Sequence, residues 1–318
     1  MACYSGYDRK WRSGLMSKRR SKLNQSKPIW FVLAGLIFLV LLVAVLLRGN
    51  DVVLFNPKGA VADDQHRLMV ISVLIMLGVA IPTLFLLYFF AWKYRENGKK
   101  ATTNHHSSNS KFATAVFWAI PAATVAILAS FMLPATQKLE PQRTIEAGGE
   151  PVTVQVVALR WKWLFIYPKQ NVATINFIQI PVGTPVQFEL TADEAPMNSF
   201  WIPHLGGQLY AMTGHQNRLN LIAESTGDYE GSAAEINGAG FAGMRFITRV
   251  SSRSDFDLWI NKTKQSTKGL TAAEYNKLLK PSQNDAATLY GSTNPDIYSK
   301  IVSKYEGSHG HDSEQAGY

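Results

Sequence analysis

Apolar positions along this chain fall into two regimes. Three uncharged apolar runs, Ile29 to Leu47, Leu68 to Trp92 and Phe112 to Leu133, lie in the first 134 residues, and none follows. Each is 19 to 25 residues long, and at about 1.5 Å per residue even the shortest covers the roughly 30 Å of a bilayer's hydrocarbon. Three membrane-crossing helices are predicted. Pro82 and Pro121 fall inside the second and third runs, where each removes one backbone hydrogen bond and can kink its helix. Beyond Pro134 the period changes to two, with β-branched and aromatic residues. Val152 to Leu159, Trp163 to Tyr167, Ala173 to Ile180, Val186 to Thr191, Arg218 to Ile222 and Arg245 to Val250 read as short strands between Gly, Pro and Asn signals. The stretch Asp228 to Phe246 reads as a strand, a Gly-studded loop with a buried Glu235-Ile236 in its middle, and a second strand beginning at Met244. So many strands in so short a span make a sandwich or Greek-key barrel. From Ser254 the pattern turns helical. Ser254 caps a helix through Lys264, Thr271-x-x-Glu274 is a capping box before Tyr275 to Leu279, and Asn294-Pro295 opens a helix through Tyr305.

The chain therefore divides into a basic N-terminus (1–27), an anchor or signal (28–48), a helical hairpin (67–134), a β domain (150–250), an aromatic-rich helical extension (251–305) and a flexible tail (306–318). A secretory signal has a shorter apolar core and a small-residue cleavage site. The first run is longer and ends in Val-Leu-Leu-Arg48, which favours an uncleaved anchor and leaves removal open.

Charge sharpens the topology. The net charge of +9 would suit nucleic acid, but residues 1–134 hold 16 Lys+Arg against 5 Asp+Glu, and residues 135–318 hold 16 against 18. The basic excess belongs to the membrane half, and nucleic acid drops out as a partner. Short flanks carry 13 Lys+Arg on the side of the N-terminus and the loop Lys93 to Lys111, against three on the other. The positive-inside rule then puts that side in the cytoplasm and everything from Pro134 onward outside.

Candidate chemistry is sparse. Cys3 is the one cysteine, so neither an intrachain disulfide nor a thiolate metal site can form. None of the three runs contains Asp, Glu, Lys, Arg or His, the groups that intramembrane haem ligation and proton relays require. His204, His215, Met197, Met212 and Met244 are acceptable copper ligands by type but lack tight ligand spacing. His309 and His311 sit in a polar tail. Trp161 and Trp163, alternating on a strand, read as packing residues.

The Gly-rich loop resembles that of subunit II of the haem-copper respiratory oxidases. In that family the loop runs Cys-x-Glu-x-Cys, then Gly, His and Met at fixed steps, and holds two copper ions. Here Ala233, Asn237 and Phe241 stand where the two cysteines and the histidine would be, while Glu235, Gly238 and Met244 match. The family's other histidine precedes a Ser-Phe-x-Ile-Pro run; here Asn198 precedes Ser199 to Pro203. Bridging thiolates and neutral imidazole are what such copper needs, and Ala, Asn and Phe offer neither. The resemblance therefore points to the branch without the dicopper centre, the quinol oxidases of the cytochrome bo type. Ala91-Trp92-Lys93-Tyr94-Arg95 and Trp118-Ala119-Ile120-Pro121 are similar to phrases of those subunits, as is the aromatic-rich extension.

That resemblance implies a membrane-anchored, all-β fold: transmembrane helices, a cupredoxin-like Greek-key barrel and a short helical C-terminal extension. It implies no cofactor and no catalytic residue in this chain, with haem and copper in a partner subunit I that reduces oxygen, pumps protons and is fed by ubiquinol. Membrane lipid and the other oxidase subunits are the remaining partners, and a bacterial inner membrane, with the C-terminal domain periplasmic, is the location. Some members carry a Glu near the start of the last membrane helix to feed a proton channel; the position here is Thr114. A rival reading is a membrane-anchored cupredoxin-like binding module outside any oxidase.

Overall fold

A computed structural model describes residues 53–93, 111–145 and 149–305, with Phe38, Leu41, Leu42 and Val45 of the first apolar run, which are helical and exposed. Cys3, His309, His311 and most of the anchor lie outside the described residues. The chain divides into two compact units, Met1–Val52 and Val53–Tyr318.

Two long helices open the second unit, α1 (Ala60–Lys93) and α2 (Lys111–Lys138). A helix that is apolar on every side belongs in a protein core or a bilayer. Both are long and apolar enough to cross a membrane, and their apolar windows are not buried within the protein. Exposed hydroxyls on these helices are bonded inside their own helix, as an apolar surrounding requires: Thr83 donates to the Val79 carbonyl at 2.8 Å and Thr124 to that of Ile120 at 2.9 Å.

The β domain comprises β1 (Val152–Leu159), β2 (Lys162–Tyr167), β3 (Val172–Ile175), β4 (Phe177–Pro181), β5 (Pro185–Ala192), β6 (Asn198–Trp201), β7 (Leu209–Ala211), β8 (Asn217–Ile222), β9 (Gly227–Ala233) and β10 (Arg245–Ser251). After it come α3 (Arg253–Lys264), β11 (Gly269–Leu270), α4 (Ala272–Leu278), β12 (Thr288–Tyr290), β13 (Ser292–Thr293) and α5 (Ile297–Ser303). One sheet runs β12-β3-β2-β1-β5-β8, a second runs β4-β10-β9-β6-β7, and β11 pairs with β13 in a small third one. Alternate residues of the first two point into a shared core, where the Phe200 and Phe246 rings stack at 5.2 Å and Trp163 meets Phe200 edge-on at 5.4 Å. This is the membrane-anchored, cupredoxin-like β fold that the resemblance implied.

Three of the elements read from the sequence need their limits corrected. Ala173 to Ile180 is two strands: Asn176 turns the chain at φ 53°, so β3 joins one sheet and β4 the other. Asn tolerates that left-handed backbone, and its side chain compensates by accepting from Trp163 N at 2.8 Å and donating to the Asp285 carbonyl at 2.9 Å. Ser252, not Ser254, caps α3, accepting from Asp255 N at 3.1 Å. The last helix starts at Ile297, because Asn294 Oδ1 takes the Asp296 N–H at 3.0 Å and holds a turn there first. Its end, Ser303, falls short of Tyr305. Thr271 does cap α4, accepting from Glu274 N at 3.2 Å.

Candidate functional site

The loop between β9 and β10 is built by local hydrogen bonds. Ala233, the last residue of β9, donates its N–H to the Met244 carbonyl at 3.1 Å, and Ala234 donates to that of Ser199 at 2.9 Å. The first bond closes the loop and the second ties it to β6, which Phe200 pairs to Ala233. Phe241–Gly243 forms a 3-10 turn that Met244 caps, donating to the Phe241 carbonyl at 3.0 Å. The following strand accordingly begins at Arg245, as the period-two pattern gave it and one residue later than the reading of the Gly-studded stretch.

Three of the singled-out residues meet inside this loop. Asn198 and Met244 are fully buried. The Asn237 amide donates to Asn198 Oδ1 and to Met244 Sδ, the latter at 3.2 Å, and Asn198 donates to the Pro196 carbonyl at 2.6 Å. Asn237 Oδ1 and the neighbouring Ser199 Oγ are buried without a hydrogen-bond partner. Phe241 packs, half-buried, against the core. Glu235 and Ile236 are exposed, Ile236 to 79%, so the expectation of a buried Glu-Ile pair is wrong. The loop turns Asn237 inward, and the two preceding side chains project to solvent.

Trp161 covers the loop from the β1–β2 turn, where it sits at φ 65°. A Cβ on Gly240 would lie 2.3 Å from Trp161 Cγ, and one on Gly238 3.3 Å from its Cζ2. Trp163 lies wholly in the core. Among the remaining candidate ligands, the His204 ring lies tilted against that of Tyr229 at 5.1 Å, His215 is exposed with Nδ1 3.1 Å from the Thr213 carbonyl, and Met197 is 44% exposed. Among the described residues no group of three or more His, Cys, Asp or Glu could hold a metal ion. The inward groups of the loop are carboxamide, thioether and methyl, and its one amide donor is engaged by Asn198 and Met244. These residues do not fit a dicopper centre, which needs bridging thiolates.

Comparison with known proteins bears on the same region. A family model described as the cytochrome c oxidase subunit II periplasmic domain matches residues 167–251, and one described as the COX aromatic rich motif matches 264–309. Cytochrome bo(3) ubiquinol oxidase subunit 2 of Pseudomonas putida is 46% identical over 262 residues, covering 82% of this chain and 83% of that protein. Its namesake in Pseudomonas aeruginosa is 42% identical over 273 residues, with 86% and 82% covered. Ubiquinol oxidase subunit 2 of Acetobacter aceti is 39% identical over 264 residues, with 82% and 85% covered. The chain belongs to the ubiquinol oxidase subunit 2 family.

In this chain, the aromatic-rich segment supplies a cluster that the sequence reading missed. Asp193, 2% exposed and just beyond β5, accepts from the hydroxyls of Tyr275 and Tyr305, each at 2.6 Å, and from Lys304 Nζ at 2.9 Å. Lys304 also reaches Glu194 at 3.0 Å. Burial first, then the bond to Asp193, raise the Tyr275 hydroxyl's pKa well above its ordinary value. A second tie is Lys162, 3% exposed on β2, whose ammonium donates to the Lys280 carbonyl at 3.0 Å and to Ser282 Oγ. Both clusters fasten the extension to the barrel. Their partners lie far apart in sequence, and the tyrosines of the aromatic-rich tail were the one available signal.

Proposed function

We propose that this chain is the non-catalytic subunit II of a proton-pumping ubiquinol oxidase, a complex that oxidises ubiquinol in the membrane and reduces oxygen to water in the aerobic respiratory chain. In this reading the haems and copper lie in subunit I, which this chain anchors and covers. The observation that carries it is the hydrogen-bonded set Asn198, Asn237 and Met244, which fills the interior of the loop with groups that cannot bridge two copper ions. A reductant dissolved in the bilayer needs no electron relay on the outer face, so a loop without copper suits a quinol substrate. The uncharged faces of α1 and α2 supply the surface for lipid and for subunit I. The distribution of basic residues supports a multi-pass chain in a bacterial inner membrane, its β domain periplasmic.

The test is to purify the chain by an affinity tag from its native membrane in mild detergent. The expected product is a haem-containing complex that consumes oxygen with ubiquinol, pumps protons when reconstituted, and holds no copper beyond that of subunit I. Recovery of the chain without a haem protein would overturn the reading in favour of a binding module outside any oxidase. Stoichiometric copper in the β domain, with electron acceptance from a soluble cytochrome, would overturn it in favour of an electron-entry subunit.

A further inference from the structure

At the joint between helices and β domain lies a cavity of about 360 Å³, whose polar lining includes Asp64 and Gln65 of α1, Lys138 at the end of α2, and Glu140 and Arg143 just beyond it. A second, open groove of about 720 Å³ runs down between the helices, past Leu68, Met69 and Ser72 on one side and Met132 and Ala135 on the other. The two share Leu139, Glu140 and Pro141, so they adjoin. Leu68 opens the uncharged run of α1, which puts the change from polar cavity to apolar groove at the edge of the hydrocarbon. Ser72 lies eight residues beyond Asp64, about 12 Å deeper along the helix axis. That depth is about what a glycerol backbone and the first acyl carbons occupy.

The charges select among headgroups. Two cations, Lys138 and Arg143, face two anions, Asp64 and Glu140, for no net charge. Asp64 and Lys138 pair with each other at 2.6 Å across the two helices, while Glu140 and Arg143 make no ion pair among the described residues. A guanidinium fork matches phosphate oxygens, and a carboxylate accepts the hydrogen bonds of a primary ammonium. An anionic headgroup would leave Glu140 facing negative charge, and a quaternary ammonium has no N–H to donate. We propose that this joint binds one zwitterionic phospholipid with a primary-amine headgroup, as in phosphatidylethanolamine: phosphate on Arg143, ammonium on Glu140, and one acyl chain in the groove beside Met69 and Met132.

The proposal rests on α1 and α2 crossing the membrane, which resistance of the chain to carbonate extraction reports separately. The test uses the intact complex in nanodiscs with photoactivatable phosphatidylethanolamine, phosphatidylglycerol or phosphatidylcholine, and maps the labelled peptides. The ethanolamine lipid is expected to label peptides holding Met69 or Met132. Arg143→Glu should cut that labelling roughly tenfold, the effect of reversing one charge at the membrane surface, and Glu140→Gln should shift preference toward phosphatidylglycerol. Ala135→Trp, which plugs the groove and leaves every charge in place, should abolish labelling even if Arg143→Glu impairs assembly. Equal labelling by all three lipids, displacement of the probe by millimolar inorganic phosphate, or cross-linking of the groove to another protein subunit would each overturn it.

Discussion

At Gly240 the loop backbone runs against the Trp161 indole so closely that a single added methyl has nowhere to go, its nearest neighbours being Cγ and Cδ2 at 2.3 and 2.4 Å. Those atoms are the stiff root of the ring, and Trp161 is already held at a positive φ. Gly240→Ala should therefore destabilise the domain by about 1–3 kcal/mol, the usual cost of overpacking. Trp161→Ala in the same chain should recover much of it, since residues in contact are energetically coupled. Melting of the full chain in detergent measures both, and additive losses would mean that the indole does not press on the loop. The tyrosine cluster behaves differently because it titrates. Tyr275 has its pKa raised above the ordinary 10.0, chiefly by burial and then by its bond to Asp193. A raised pKa means that its contribution is complete below pH 10 and is lost as pH climbs beyond that. Tyr275→Phe should flatten the alkaline fall in melting temperature above about pH 10, and near neutrality cost about 1 kcal/mol for the hydrogen bond removed. An unchanged alkaline slope would show that this hydroxyl does not couple to folding.

At the scale of elements, the β domain and its extension are one structure. The outer face of β1 and β2, with Val157, Leu159, Leu164 and Ile166, is covered by Tyr275, Ile297, Tyr298 and Ile301 of the short helices α4 and α5. Asp193 holds that cover in place through three donors. Asp193→Ala should cost about 2 kcal/mol, mostly from the buried Tyr275 hydroxyl left without its acceptor. Lys304, largely exposed, adds little. Hydrogen exchange in α5 should quicken before exchange in β5 does; equal changes in the two would mean that the cluster does not act as a latch. This double-sided burial also explains what was hard to read. Period two identified β1, β5, β8 and β10, but β2 is buried at every position, so its alternation carries no information about which face meets the core. Ala173 to Ile180 looks continuous because both halves are β-branched, and the break comes from Asn176 alone, through contacts with Trp163 and Asp285 made only in the fold. In the candidate loop, the family resemblance placed Ala233, Asn237 and Met244, and the structure shows the local turn that brings them together. Asn198, placed by the same resemblance, enters from β6, whose pairing with β9 brings it to the loop. Asp193 was out of reach, its partners lying 82 and 112 residues away.

For the whole molecule, the question is whether the long apolar helices and the β domain move as one body. The chain enters α1 through a dense joint: Lys58 N donates to the His204 carbonyl at 2.8 Å, Glu224 N to that of Lys58 at 2.8 Å, and Ala62 N to that of Leu205 at 3.2 Å. Gly59 sits in the middle, bridged to Ala223 and buried. A Cβ there would lie 2.7 Å from the Ile222 carbonyl oxygen and 2.8 Å from that of Leu205. These are backbone atoms of the β domain and cannot rotate aside. Gly59→Val should thus force the two parts of the joint apart while sparing the interior of each. The β signal in circular dichroism should survive, yet protease cleavage between Asn56 and Val61 should rise about tenfold, because backbone released from hydrogen bonds opens locally at little free-energy cost. Gly78→Ala, at a helical glycine with no neighbouring atom within 4 Å, should leave cleavage unchanged. If Gly59→Val is cut no faster than the parent chain, the joint is not what couples the β domain to the membrane, and the rigid seating of the phospholipid cavity loses its basis.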